Sequence, residues 1–204
     1  MYRIKFITLL VILVSSSNAS NALADGQWRF PVGLSHSNSI DEIGDINKDN
    51  LEAEGAIVID QDNGFGVGIT FSPYYYFDFG LGIGLNMGPV ALIAIETSQN
   101  DVEFVYTDFP IGFDLRYMYY HEKSGVSPYV RTGFRYHIAN GDYVVDQSVG
   151  LTYGFGIEFR IHRKIALGIE YLVDNSEVEF NDLQNGGTKK LKPTESLVTF
   201  NVVF

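Results

Sequence analysis

The chain has 204 residues, enough for one domain, and its formal charge of −11 reflects 25 acidic residues against 14 Lys and Arg. This acidic balance argues against nucleic acid as a partner and against simple electrostatic attraction to anionic lipid. The chain contains no Cys, so disulfide bonds do not stabilise the fold. With 21 Gly, 15 Phe, 13 Tyr and only 6 Pro, the composition favours β-structure over helix.

The first 24 residues have the features of a cleaved signal peptide. Arg3 and Lys5 precede an apolar run over residues 6–14, and small residues then lead to an A-x-A site that ends at Ala24. The alternative, a transmembrane anchor, needs a longer apolar run to span the bilayer as a helix. Cleavage before Asp25 removes two cations and no acids from −11, which leaves a mature chain of −13.

Eight segments of the mature chain alternate between large apolar residues and small or polar residues, which is the pattern of β-strands. In chain order these segments are 28–35, 64–72, 77–87, 109–120, 129–138, 151–161, 165–174 and 197–204. The pattern is clearest in segment 151–161, where Leu151, Phe155 and Phe159 fall on one face. Gly154 and Glu158 fall on the opposite face of the same segment.

The second face, which carries the small or polar residues, distinguishes a membrane barrel from a soluble one. Alternation alone does not, because soluble sheets alternate too, with their large apolar residues inside. Here that face carries mainly Gly, Ala, Ser and Thr, with isolated charges of both signs. Small residues suit the narrow interior of an eight-stranded barrel, whose large apolar residues then contact lipid. The sequence predicts an all-β fold over residues 25–204: an eight-stranded, antiparallel, up-and-down transmembrane β-barrel. A soluble, secreted lipocalin-like binder with inward aromatic residues is an alternative.

The connections between these segments alternate in length. Residues 72–77, 121–128 and 162–164 are short links, whereas residues 37–64, 88–108, 139–149 and 174–195 form longer polar links. Short periplasmic turns and long external loops alternate in this way in outer-membrane barrels. With an even number of strands, we expect both ends of the mature chain on the periplasmic side.

The last segment carries an apolar residue at every second position: Val198, Phe200, Val202 and Phe204. This pattern resembles the C-terminal signal of bacterial outer-membrane β-barrel proteins, and the chain is similar to the small eight-stranded barrels of OmpA, OmpX and OmpW type. The hairpin over residues 109–136 is similar to the generic hairpin of that group. The resemblance implies residence in the outer membrane, contact with its lipid and lipopolysaccharide, and recognition of the last strand by the barrel-assembly machinery.

Charged residues on the second face are candidates for a network inside the barrel. They are Arg29, Asp78, Asp114, Arg116, Arg131, Arg135, His137, Glu158, Arg160, Glu170 and Asp174. Such a set either lines a polar pore or forms ion pairs that plug the lumen, and unpaired charges are costly in both cases. Because eight-stranded interiors are usually filled, we predict a plug.

An enzyme is one alternative, since some barrels of this size act on lipid A through a His and a Ser two positions apart on one strand face. Here Ser37 directly follows His36, so alternation sends the two side chains to opposite faces. No other pattern indicates a catalytic group, a cofactor or a metal, and we expect a protein that is not an enzyme.

Two loop segments carry notable charge. In residues 39–55, Asp45, Asn47 and Asp49 match the start of a calcium loop, but the required Gly and the terminal Glu are misplaced. A solvated acidic loop is therefore the prediction, with weak divalent-cation bridging to lipopolysaccharide phosphates as a hypothesis. In the last loop, Lys189, Lys190 and Lys192 either meet lipid phosphates or keep the loop soluble. The predicted function is structural or interactional, with a narrow channel for small or apolar solutes and a lipid A-modifying enzyme as alternatives.

Overall fold

The computed structural model describes residues 27–37, 39–62, 67–98, 102–119 and 125–204. The predicted signal peptide and its cleavage site lie outside these residues. No helix in the described part of the chain is long and apolar enough to cross a membrane.

Eight antiparallel strands close a barrel, as predicted. In the order in which they pair, they are β2 (Pro31–Ser37), β4 (Val67–Phe71), β6 (Leu81–Met87), β8 (Val102–Met118), β9 (Val126–Asn140), β11 (Val149–His162), β12 (Ile165–Asp174) and β15 (Ser196–Val203). The seam forms where β15 pairs with β2, from Val203 opposite Pro31 to Leu197 opposite Ser37. On the inner face of this seam, the hydroxyl groups of Ser35 and Thr199 lie 2.6 Å apart and share a hydrogen bond.

The remaining elements extend the barrel at its two ends. They are β1 (Gln27–Arg29), α1 (Ile40–Ala53), β3 (Val58–Asp62), β5 (Tyr74–Tyr76), β7 (Ala91–Thr97), β10 (Val144–Gln147), β13 (Val178–Asn181) and β14 (Thr188–Leu191). At one end, called the turn end, β1 pairs with β5 and β5 pairs with β6. At the other, called the loop end, β7 joins β3 to β8, and β10, β13 and β14 form a separate three-stranded sheet.

Side chains alternate between the two faces of the wall as predicted from the sequence. On β9, Phe134 is 59% exposed on the outer face, whereas its neighbour Arg135 is 1% exposed in the lumen. The same division on the other strands places large apolar residues outside and small or polar residues inside, because successive strand residues point to opposite faces. The soluble-binder alternative is wrong, since it requires the aromatic residues to form the core.

One predicted short turn is misplaced. The strand that starts at Val67 pauses at residues 72–73 and resumes as β5, so Tyr74 and Tyr76 point into the lumen and are buried. The chain turns only at residues 77–80, where Gly80 has a positive φ of 90° that favours glycine. The predicted strand over residues 77–87 therefore begins at Leu81.

The prediction of a solvated acidic loop over residues 39–55 is also wrong, because most of this segment is helix α1. Ile40, Ile43 and Ile46 recur every three residues and bury one face, whereas Asp41 and Asp45 are exposed on the other. Acidic residues in the first turn suit the positive end of the helix dipole.

We call the helix and the strands at the loop end the outer cap: α1, β3, β7, β10, β13 and β14. The cap has its own apolar core with the outermost lumen residues, and that core contains Ile40, Ile43, Ile46, Ile93, Ile95, Val105, Tyr106, Ala139, Val178, Phe180 and Leu191. The side chain of the buried Asn50 donates to Asn181 O at 2.7 Å and accepts from Leu183 N at 2.8 Å. Helix α1 is thereby fastened to the connection between β13 and β14.

Candidate functional site in the barrel lumen

The charged side chains of the lumen form two groups, one above the other along the barrel axis. Nearer the turn end is the turn-side layer, which comprises Arg29, Asp114, Arg116, Arg131, Glu158 and Glu170. Nearer the outer cap is the loop-side layer, which comprises Asp108, Arg135, His137 and Asp174. Both sets occupy inward positions of long paired strands, so the closed sheet itself brings them together.

Glu170 is the centre of the turn-side layer. Its carboxylate accepts from Arg116 at 2.9 Å and from Arg131 at 2.6 Å, and the Tyr129 hydroxyl donates to it at 2.9 Å. Arg131 also pairs with Asp114. All of these side chains are almost fully buried, so each charge depends on its partners for the hydrogen bonds it would otherwise make with water.

Glu158 extends this layer across the lumen. It pairs with Arg116 at 3.3 Å and with Arg29 at 2.7 Å. Arg29 comes from β1, which is not a neighbour of β11 in the sheet, so the ion pairs span the interior rather than lining one side of it. Three cations face three anions, and the layer is neutral as a whole.

Three tyrosines complete the turn-side layer, and each lies over a glycine directly opposite on the neighbouring strand. The pairs are Tyr74 with Gly84, Tyr76 with Gly82, and Tyr129 with Gly156. A Cβ atom at any of these glycines would overlap the tyrosine ring. These three glycines thus make room for flat aromatic rings.

Arg116 lies among these rings. Its guanidinium carbon is 3.4 Å from the ring centre of Tyr129 and 4.9 Å from that of Tyr74. It also donates to the Tyr76 hydroxyl at 3.3 Å. A planar guanidinium can stack on rings and bridge two carboxylates at once, which a lysine ammonium cannot do.

His137 is the centre of the loop-side layer. Its Nδ1 atom lies 2.5 Å from Asp108 Oδ2, and its Nε2 atom lies 3.3 Å from Asp174 Oδ2. Arg135 pairs with Asp174 at 3.1 Å and donates to the side chain of Asn86. Asp174 also accepts from the Thr194 hydroxyl at 2.8 Å and from the hydroxyl of Ser176, which links this layer to the last loop.

A small polar cavity lies between the two layers. Its volume is about 10 Å³, and it is bounded by Arg116, Arg135, Glu170 and Asn201. This is about the volume occupied by a single water probe. Above the loop-side layer lies the apolar core of the outer cap.

Two of the predicted network residues are exposed rather than buried in the lumen. Asp78 is exposed in the turn over residues 77–80, because the strand is interrupted there and alternation no longer applies. Arg160 is also exposed, because it lies at the end of β11 beside the hairpin turn. The structure places the other predicted members, including His137 and Asp174, in the two layers.

The sequence analysis missed four members of the site: Asp108, Tyr74, Tyr76 and Tyr129. Asp108 was assigned to a loop, although the alternation of β8 extends back from Asp114 through Gly112 and Pro110 to it. The two β5 tyrosines were assigned to a turn. Tyr129 carries no charge and so is not among the predicted network residues, although Arg131 two residues later marks its inward position.

The other candidate sites are not assembled. His36 is exposed on the outer face and Ser37 is buried on the inner face, so they do not form a His–Ser pair. Asp45, Asn47 and Asp49 lie in helix α1 rather than in a calcium loop, and the buried Asn47 donates to Ile43 O at 2.7 Å. Within the described ranges, no group of three His, Asp or Glu side chains is arranged to hold a metal ion.

The residues of the proposed assembly signal alternate on β15. Val198 and Phe200 are exposed on the outer face, and Val202 and Phe204 are half-buried there. Phe204 also ties the end of the chain to the first strand, since its carbonyl accepts from Phe30 N at 3.0 Å.

Comparison with known proteins agrees with this architecture. The family described as outer membrane protein beta-barrel domain matches residues 6–204. The fold is similar to the crystal structure of the outer membrane protein OprG from Pseudomonas aeruginosa, with 12% identity over 90% of this chain and 98% of that one and a TM-score of 0.53. It is also similar to the solution structure of E. coli Outer Membrane Protein W, with 14% identity over 90% and 99% of the two chains and a TM-score of 0.50. No curated protein matches the chain.

Proposed function

Because the chain belongs to the family of outer membrane proteins with a β-barrel domain, and therefore resides in the outer membrane, we propose that its role there is structural and interactional rather than conductive. In this proposal the lumen is plugged by charged side chains, and the protein presents the outer cap to the exterior. The outer face of α1 supplies an acidic surface through exposed residues such as Asp41, Glu42, Asp45 and Glu52.

The observation that carries the proposal is that ion pairs cross the lumen at two levels. A conducting pore needs a continuous polar passage, whereas Arg116, Arg131 and Glu170 are bonded to one another across the interior. Opening a passage through this layer separates paired charges that are almost fully buried, at a cost of several kcal/mol for each ion. The packed apolar core of the outer cap is a second barrier in series.

The orientation and partners follow from the same proposal. Both ends of the described chain lie at the turn end, which we assign to the periplasm, and the outer cap then faces outward. The outer wall contacts membrane lipid and lipopolysaccharide, and Val198, Phe200, Val202 and Phe204 present the signal that the assembly machinery recognises. The separation of His36 and Ser37 to opposite faces supports the expectation that the protein is not a lipid A-modifying enzyme.

Conductance of the purified protein in planar bilayers tests the proposal against a narrow channel for small or apolar solutes. Folding is checked first by gel mobility in SDS, where a compact unboiled band that shifts on heating indicates a closed barrel. We expect folded protein to give no current steps above those of the empty bilayer, and liposomes that contain it not to swell in small solutes. Regular current steps or solute uptake by the folded protein would establish the channel instead.

A further inference from the structure

The outer wall has an apolar concavity at the barrel seam. Its volume is about 430 Å³, and its lining includes Val32, Leu34, Leu167, Phe200, Val202 and Phe204. Most of the lining belongs to β2, β15 and β12, three strands that are adjacent in the closed sheet. The concavity therefore lies on the membrane-facing side of the wall, in the half of it that reaches the turn end.

Strand register explains the shape of this concavity. Phe200 pairs with Leu34 on one side and with Ile169 on the other, which forms a raised row of large side chains across the three strands. The neighbouring row of outward-facing side chains is lower at its centre, because two smaller residues, Val202 and Val32, pair there. Large residues stand next to small ones, and a trough remains between them.

A basic turn borders the concavity. Phe159 and Leu167, which face each other across β11 and β12, both line it, and the chain between them forms the turn of this hairpin. The turn contains Arg160, His162, Arg163 and Lys164, all of them exposed. Residues 159–169 include no Asp or Glu, although the chain as a whole has a charge of −11.

We propose that this seam binds one phospholipid with an anionic headgroup, whose acyl chain fills the concavity and whose phosphate contacts the basic turn. Two observations identify the occupant. The concavity is continuous with the apolar outer wall that faces lipid, so hydrocarbon is the material available at that depth. Arg160, Arg163 and Lys164 at its border complement a phosphate that no cationic headgroup neutralises, against the overall charge of the protein.

A matched pair of variants separates the two parts of this site. R163Q/K164Q removes two cations from the turn and leaves the concavity unchanged. V202F fills the lowest part of the concavity and leaves the turn unchanged. V32F fills the same space from β2, outside the proposed assembly signal. If V202F acts only by disturbing that signal, V32F should not reproduce its effect. K189Q/K190Q removes two exposed cations at the loop end and is the charge control.

The experiment is mass spectrometry of intact folded protein released from detergent micelles that contain equal amounts of phosphatidylglycerol and phosphatidylcholine. We expect the natural protein to retain one phosphatidylglycerol and little phosphatidylcholine. R163Q/K164Q should bind phosphatidylglycerol more weakly, by about fivefold for each cation removed, and lose the preference between lipids. V202F and V32F should lose both lipids, and K189Q/K190Q should behave like the natural protein.

Three results would overturn the proposal. Equal retention of the two lipids by the natural protein would show general contact with hydrocarbon only. An equal loss in K189Q/K190Q would place the headgroup elsewhere. A protein dimer that V202F and V32F abolish, with no lipid retained, would mean that a second copy of the chain covers the concavity. None of these results depends on whether the lumen conducts.

Discussion

His137 Nδ1 lies 2.5 Å from Asp108 Oδ2, at the level where the ion pairs of the lumen meet the apolar core of the outer cap. Both side chains are almost completely buried. Asp108 has no other ion-pair partner among the described residues, whereas Asp174 is also bonded to Arg135, Ser176 and Thr194. The two carboxylates of this layer therefore depend on His137 to very different degrees.

Removing the imidazole should consequently affect Asp108 more than Asp174. H137L leaves that carboxylate buried without a donor, and we expect a loss of about 3–5 kcal/mol in the free energy of unfolding. H137L/D108L replaces both partners with apolar groups and should recover most of the loss. Urea unfolding in phospholipid vesicles measures both variants. A double variant as unstable as H137L would show that His137 acts mainly through Asp174.

The contact between Tyr129 and Gly156 predicts that alanine substitutions at different lumen glycines have different effects on stability. A methyl group at Gly156 overlaps the Tyr129 ring, which is held by Arg116 and Glu170, so G156A should cost about 1–3 kcal/mol through overpacking. G168A is the matched control, because a Cβ at Gly168 finds its nearest atom at an ordinary 3.4 Å. The same unfolding measurement should show little change for G168A. Equal losses would mean that flexibility of the strand, rather than the ring, sets the cost.

Substitutions of two asparagines in α1 test which contacts hold this helix to the rest of the outer cap. N50A removes both bonds to residues 181 and 183 and leaves backbone groups unsatisfied, each at a cost of about 1–3 kcal/mol. We expect faster amide hydrogen exchange in α1, β13 and β14, with the barrel strands unchanged. N47A is the control, since Asn47 is equally buried but donates only within the helix. If N47A accelerated exchange in β13 as much as N50A does, burial alone would hold the cap.

Asp182, in the exposed turn between β13 and β14, predicts a local dependence on pH. Hydrogen bonds from the Asn185 side-chain amide, and then from the Asn185 backbone N–H, lower the pKa of Asp182 below its usual value. A lowered pKa in the folded state stabilises the turn above the unfolded pKa, and this contribution is lost as the pH falls through the folded pKa. The Asn185 amide resonance should therefore shift only in acid. In D182A this titration should disappear, and its persistence would assign the change to another group.

The barrel could be predicted because its signal is long and regular. On β9, alternation from Tyr129 to Ile138 fixes both faces of the wall, and lipid outside together with a narrow lumen inside accounts for the two compositions. Most of the charged network follows from those faces. The contacts do not, because which cation meets Glu170 depends on how the strands are staggered around the closed sheet.

The outer cap could not be predicted from the two-residue period of the barrel strands. Ile40, Ile43 and Ile46 carry a helical repeat, but three isoleucines among many acidic residues are a weak signal beside the charge. The partners that bury this face, such as Ile93 of β7 and Phe180 of β13, come from segments that are distant in the sequence. Asp78 and Arg160 are exposed for a related reason, since one lies in a turn and the other at the end of a strand.

The bond between Ser35 and Thr199 joins residues that are 164 positions apart in the chain. Hairpins such as β11–β12 connect neighbours in sequence and can form locally, whereas the contact between β2 and β15 must enclose almost all of the intervening polypeptide. The order of events in folding is thereby constrained: hairpins come first, and the first and last barrel strands meet late. Until they do, β2 and β15 both carry unsatisfied edges, and the intermediate is a curled sheet that is open to any other strand within reach.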